Sequence, residues 1–210
     1  MIAPEYEMPL GTHPQAAAPM RTNITVVEEA DASGEIGEAY QYFRDHFGRL
    51  EVPGILKCFS SSPELLRTIM QLASTLLFSE GCLGRRIKEM IATYVSALNE
   101  CPYCVDSHAY YLRLHGGEES VQQALAARKL ETVTISTPER YLLEFVRKVT
   151  LESYKVDEAD ILDLRASGWD ERQIAECVHV AAMFACFNRV ANAFGLSPQG
   201  LLDHLPASHE

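Results

Sequence analysis

The sequence predicts an all-α protein. Proline and glycine are sparse after residue 60, β-branched alternation is nearly absent, and apolar residues recur at three and four positions, which is the helical period. An extended arm is expected over residues 1–24, because "MIAPEYEMPLGTHPQAAAPM" repeats proline and has neither the basic start nor the apolar run of a secretory signal. A single domain is expected over 25–206. After the lead-in "NITVVEEADAS", the pattern predicts helices at about 34–48, 63–78, 83–98, 102–115, 118–129, 138–151, 157–167 and 171–194. Breaks at "FGRLEVPG", "SEGCLG", "NECP", "HGG", "ISTP", "ASGWD" and "FGLSP" separate them through Gly, Pro or a capping residue.

"RRIKE" at 85–89 and "RQIAE" at 172–176 both open long apolar helices, and Asn188 stands from Glu176 as Cys101 stands from Glu89. One reading of this echo is a degenerate tandem: a CxxC-bearing helical unit at about 60–130 and a second at about 138–200. A chance match is the other.

A chain of 210 residues with 47% apolar content has ample material for a packed core. Its net charge of −11 and its lack of a basic run argue against nucleic acid and anionic membranes as partners. The apolar stretch "VHVAAMFACF" contains a histidine and is shorter than the roughly 18 residues that cross a bilayer, so a buried helix is expected there. Six unevenly spaced cysteines do not form the disulfide framework of a small secreted domain. The expected location is cytoplasmic, with Cys58, Cys82, Cys177 and Cys186 as core fillers.

The remaining two cysteines lie in "NECPYCVDSHA". Proline disfavours helical geometry in the residue before it and suits the first helical position, so the helix starts at Pro102 with Cys101 near its N-cap. Cys104 then lies in the first turn, and unpaired amides and the helix dipole favour a thiolate at both sulfurs. His108 is four residues beyond Cys104, so two sulfurs and an imidazole share one helical face. If the chain reverses at "NEC", helix 83–98 runs antiparallel to helix 102–115. Glu89 and His108 are then about four rises apart, roughly 6 Å, which a glutamate side chain largely spans. The order Cys104, His108, Glu89 reads as a proton relay. Cys101 feels the dipole most and Cys104 has the closer base; the reading sides with Cys104 as the attacking thiolate, with a depressed pKa.

These residues, spaced E-x11-C-x2-C-x3-H, resemble the signature of the alkylhydroperoxidase D (AhpD) family within the carboxymuconolactone decarboxylase-like superfamily. "VPGILKCFSSSPELL", "VSALNECPYCVDSHA" and "FNRVANAFG" resemble its peroxidase-related branch, and the likeness covers roughly residues 25–200. It implies an all-α AhpD-like bundle, a disulfide-cycling thiol site and a homo-oligomer, often a trimer or hexamer. Carried over, Cys104 is the nucleophile, Cys101 its disulfide partner, and His108 with Glu89 the relay. Tyr103 stands where the best-studied members have a histidine.

The first functional reading is a thiol-dependent hydroperoxide reductase with no bound cofactor and an external dithiol or reductant protein. A second is a zinc module using Cys101, Cys104, His108 and Glu89. A structural helical protein with incidental cysteines and a decarboxylase-like enzyme are the others. His179, with Cys177 and Cys186, is expected to pack in the core. His13, His46, His115, His204 and His209 are expected to face solvent. Asn188, Arg189 and Asn192 are expected either against the active-site helix or against a subunit partner.

Overall fold

A computed structural model describes residues 22–205. Among them run α1 (Gly34–Phe47), α2 (Gly54–Lys57), α3 (Pro63–Ala73), α4 (Arg85–Leu98), α5 (Pro102–Leu114), α6 (Glu119–Ala126), α7 (Thr137–Glu152), α8 (Glu158–Ala166) and α9 (Glu171–Phe194), with no strand. The expected all-α class is therefore what the chain adopts. Residues 1–21 of the expected arm lie outside the described residues.

Local chemistry accounts for the helix ends. Ser62 accepts the Leu65 N–H with Pro63 at the first helical position, and Ser136 and Glu139 form a reciprocal cap on α7. Asp157 with Asp160, and Asp170 with Gln173, do the same for α8 and α9. Gly195 ends α9 at φ 75°, a left-handed conformation that a side chain would strain.

Several elements differ from expectation. The single turn α2 is too short to display a period, so the spacing of apolar residues did not reveal it. The last turn of helix 63–78 widens into a π-helical turn, Ser74–Phe78. Helix 118–129 stops at Ala126, because Arg128 turns left-handed at φ 61°.

The core forms around α4, in which every residue from Lys88 to Ala97 is buried. It packs against α5, α6, α7 and α9. A helix enclosed on every side must also enclose its polar residues, and each then needs a partner. Lys88, 1% exposed, places its ammonium 2.7 Å from Glu176 Oε1 on α9 and donates to the Ser79 carbonyl. Glu176 Oε2 accepts the Cys82 and Leu83 N–H groups at 2.6 and 2.8 Å. One carboxylate thus joins α9, the approach to α4 and a buried ammonium. Those amides are satisfied before α4 starts, and the helix begins at Arg85, after Gly84, rather than at residue 83.

By length and composition α9 is long and apolar enough to cross a membrane. Its surroundings are those of a core helix. Ile174, Cys177, Val180, Ala181, Met183, Phe184, Phe187 and Ala191 are buried, and Asn188 is hydrogen-bonded to α4 and to the residue that caps it.

Removing Glu176 leaves the Lys88 ammonium buried without its counter-charge, a loss that typically costs about 3–5 kcal/mol. Glu176→Ala should lower unfolding stability by about that amount in urea titration. A loss under about 1 kcal/mol, as at an exposed pair, would show that the clip does not hold this end of α4.

Candidate functional site

The turn between α4 and α5 builds the site. Asn99 caps α4, Glu100 turns left-handed at φ 53°, and the Cys101 N–H returns to the Ser96 carbonyl at 2.9 Å. Cys101 is extended (φ −104°, ψ 90°), as a residue before proline prefers, and Pro102 opens α5. The two helices form the antiparallel hairpin, and His108 Nδ1 lies 2.7 Å from Glu89 Oε2.

Glu89 is fully buried, and its second oxygen is engaged as well. Arg85 Nε donates to Oε1 at 2.7 Å, with Arg85 Nη2 2.6 Å from the same atom. Burial alone would raise this carboxyl's pKa, but His108 and then Arg85 outweigh it and hold the pKa below the ordinary value. An ionised carboxylate can only accept, so Nδ1 of His108 carries the proton facing Glu89. The lone pair of the neutral ring is then on Nε2. Phe184 meets the ring edge-on, centroids 4.5 Å apart, which further fixes its plane.

Both cysteines are free thiols, Cys101 fully buried and Cys104 4% exposed. Cys104 lines a mostly apolar cleft of about 90 Å³ together with His108 and Tyr103; Cys101 lies behind it. Here the surroundings of the two thiols shift them opposite to the expectation for Cys104. The Cys104 thiol donates to the Cys101 sulfur, and the amides of Cys104 and Tyr103 and the Asn188 side chain add to that, so the Cys101 pKa is lowered. The Cys104 pKa is pushed up, first by that same hydrogen bond to Cys101 and then by burial. A buried pair holds one negative charge more readily than two, and the N-cap sulfur is the one that ionises more readily here.

The carboxamide of Asn188, on α9, is fully buried; it donates to Ser96 Oγ and accepts from Asn99 Nδ2, both at 3.0 Å. Asn192 donates to the carbonyls of Asn99 and Glu100. Of the two placements open for these asparagines, they take the one against the α4–α5 hairpin, whereas Arg189 is exposed.

The four expected zinc donors do not converge on one point. Both Glu89 oxygens and His108 Nδ1 are engaged with each other or with Arg85, and among the described residues no three His, Cys, Asp or Glu side chains group as a metal site. The zinc reading is set aside on that arrangement.

Other expectations need correction. His179 is exposed rather than in the core, because it falls on the outer side of α9, and Cys186 is exposed too. Cys82 is half-buried; Cys58 and Cys177 are core residues. His115 is half-buried, and burial lowers its pKa. His46 and His204 are exposed as expected, and His13 and His209 lie outside the described residues.

Four contributors were missed by the sequence reading. Arg85 could have been found as the i−4 partner of Glu89. Asp106 accepts the Gln199 and Leu201 N–H groups, tying the segment after α9 across the cleft. Tyr103, fully buried, accepts the Ile55 N–H at its hydroxyl. Arg49 reaches the cleft from the loop after α1 and donates to the Tyr111 hydroxyl.

Residues 63–147 match the carboxymuconolactone decarboxylase family, a span that contains Glu89, Cys101, Cys104 and His108. An alkyl hydroperoxide reductase of Mycobacterium tuberculosis is 35% identical over 105 residues, covering 50% of this chain and 29% of its own length. The chain thus spans under a third of that relative. An alkylhydroperoxidase AhpD core structure, an uncharacterized peroxidase-related protein from Ralstonia eutropha JMP134, superposes with a TM-score of 0.78 at 28% identity, covering 90% of this chain and 100% of that one. An uncharacterized peroxidase-related protein from Silicibacter sp. TM1040 gives 0.75 at 26% identity, over 90% and 96%. The fold, the matched segment and these neighbours agree: the chain is AhpD-like, and its residues 63–147 match the carboxymuconolactone decarboxylase family.

Proposed function

We propose that the protein is a thiol peroxidase: it reduces hydroperoxides at Cys104, forms a Cys101–Cys104 disulfide, and is recycled by an external dithiol or a reductant protein in a cytoplasmic setting. The family match over residues 63–147 and the AhpD-like neighbours support a peroxidase-related or decarboxylase-like activity at the family's level. The observation that favours the thiol reading is the chain Arg85, Glu89, His108, which ends one helical turn from the one sulfur of the pair that lines the cleft.

The two sulfurs divide the work by position and charge. Cys104 faces the cleft but holds its proton, so attack requires that proton to leave as substrate enters. His108 Nε2 takes it, and the carboxylate behind Nδ1 stabilises the imidazolium. The Cys104 thiolate attacks one peroxide oxygen, the O–O bond breaks, and the departing alkoxide takes the proton back as alcohol. Cys104 is left as a sulfenic acid. Cys101, the thiolate-favouring partner, attacks the Cys104 sulfur, hydroxide leaves and is protonated to water, and the disulfide forms. Two thiols and one hydroperoxide thus become a disulfide, an alcohol and water. The external dithiol restores both thiols.

Mass spectrometry of alkylated protein tests the division of roles. After brief peroxide treatment, wild type should show the Cys101–Cys104 disulfide, Cys101→Ser should stop at a sulfenic acid on Cys104, and Cys104→Ser should be unchanged and inactive. A Cys104→Ser protein that still turns over substrate favours a decarboxylase-like chemistry in which the pair is idle.

The charge assignment is tested by thiolate ultraviolet absorbance against pH. Wild type should show a step below the ordinary thiol value of about 8.5 that vanishes in Cys101→Ser; its survival there would assign the charge to Cys104. The linkage sign follows. A folded pKa below the unfolded one means that the stability contributed by Cys101 is full above the ordinary thiol value and is lost as pH falls through the lowered one.

The relay predicts non-additive losses. A positioned base contributes roughly 10²–10⁴-fold, and Glu89→Gln removes the part that depends on orientation and counter-charge, so turnover should fall on the order of 10- to 100-fold. Glu89→Gln combined with His108→Asn should cost little more than His108→Asn alone. Additive losses at fixed pH would mean that the two residues act independently.

A further inference from the structure

Arg49 stands out in the cleft. The chain carries a net charge of −11, and most of its buried or half-buried cations sit against carboxylates. Among the described residues the Arg49 guanidinium has no carboxylate within ion-pair distance. It donates to the neutral Tyr111 hydroxyl, and its guanidinium carbon lies over the Tyr111 ring, 5.4 Å from the centroid. A guanidinium has five N–H donors in a planar fork, so most of its donors remain for a ligand.

Its placement relative to the reacting sulfur is defined by α5. Cys104, His108 and Tyr111 follow one another along the side of α5 that lines the cleft, and seven residues of helix separate Cys104 from Tyr111 by about 10 Å. The cleft wall between these ends is apolar: Phe43, Phe47, Met70, Leu77 and Phe184. Arg49's charge is also felt at Tyr103, the neighbour of Cys104, so the guanidinium lies within electrostatic reach of the reacting end. An unpaired cation at one end, an apolar wall, and a thiol with its base at the other together make an amphiphile-shaped site. Hydrogen peroxide and small neutral peroxides use neither the wall nor the cation.

We infer that Arg49 is the anchor of an anion subsite, and that the substrates of this protein are hydroperoxides with an apolar body and a carboxylate several carbons from the O–O bond, such as hydroperoxy fatty acids. The inference deepens the thiol peroxidase reading and rests on it for the reactive end. Arg49 binds the carboxylate bidentately, the apolar wall takes the chain, and the peroxide reaches Cys104 with its departing oxygen near His108. No new bond chemistry is needed.

The test compares a hydroperoxy fatty acid with its methyl ester, both below their critical micelle concentrations. For wild type, kcat/KM for the acid should exceed that for the ester on the order of 10- to 100-fold, the usual range for a charged hydrogen bond. In Arg49→Gln that ratio should collapse toward one, whatever happens to the absolute rates, and Arg49→Lys should keep part of it. Calorimetric titration of decanoate into Cys104→Ser protein gives a readout without turnover. Binding should weaken on the order of tenfold or more when Arg49→Gln is added. Equal acid and ester values in wild type overturn the subsite even if Arg49→Gln does not fold. Hydroperoxide reduction without acid preference and without decanoate binding leaves the peroxidase standing and removes the subsite. Arg49-dependent decanoate binding with no reduction of any hydroperoxide keeps the subsite and removes the peroxidase.

Discussion

The buried carboxylate of Glu89 is the constraint on which the site depends. An ionised carboxylate at zero exposure is tolerated when both oxygens are matched, and here Arg85 takes one and His108 the other. Because those partners come from α4 itself and from α5, satisfying the charge also fixes the register of the hairpin. The same contact orients the imidazole and assigns its proton, so the electrostatic demand of the core and the chemistry of the site are met by one arrangement.

Around this centre the fold repeats the same physical device. Glu176 on α9 holds Lys88 and two free amides at the start of α4, as Glu89 holds Arg85 and His108 further along. The segments "RRIKE" and "RQIAE" thus open two helices that pack on one another, and the glutamate of each accepts from buried or half-buried donors. α4 is consequently held by charge at the start of its buried stretch, while the Asn188 carboxamide hydrogen-bonds Ser96 and Asn99 at the other end, beside the sulfurs.

The cysteine pair illustrates how burial divides two similar groups. Cys101 and Cys104 are three residues apart and both near the start of α5, so the dipole favours a thiolate at both, most at Cys101. What separates them is depth and hydrogen bonding. One sulfur faces a cleft and donates; the other sits behind it and accepts from a thiol, amides and Asn188. Access and charge are thereby placed on different atoms, an arrangement suited to sequential attack.

Much of this was legible in the sequence. The 3.6-residue period located eight of the helices, Pro102 started α5 beside Cys101, and the spacings E-x11-C-x2-C-x3-H with a reversal at "NEC" brought Glu89 toward His108. These are short-range properties: propensity, capping and helical geometry act over a few residues, and the sequence lists those residues in order. Which sulfur ionises more readily, by contrast, was misjudged, because it depends first on the hydrogen bond from Cys104 to Cys101 and then on how deeply each thiol is buried. His179 was expected inside a helix apolar on nearly every side, and which side met the core depended on how α9 lay against α4 and α7. Arg49, Asp106 and Tyr103 entered the site through loops and segments far apart in the chain. The sequence by itself determined the helices and the local thiol, imidazole and carboxylate pattern. Tertiary packing decided which sulfur ionises more readily, which cations have a carboxylate partner among the described residues and what lines the cleft, because desolvation and long-range pairing exist only once the helices have closed on one another.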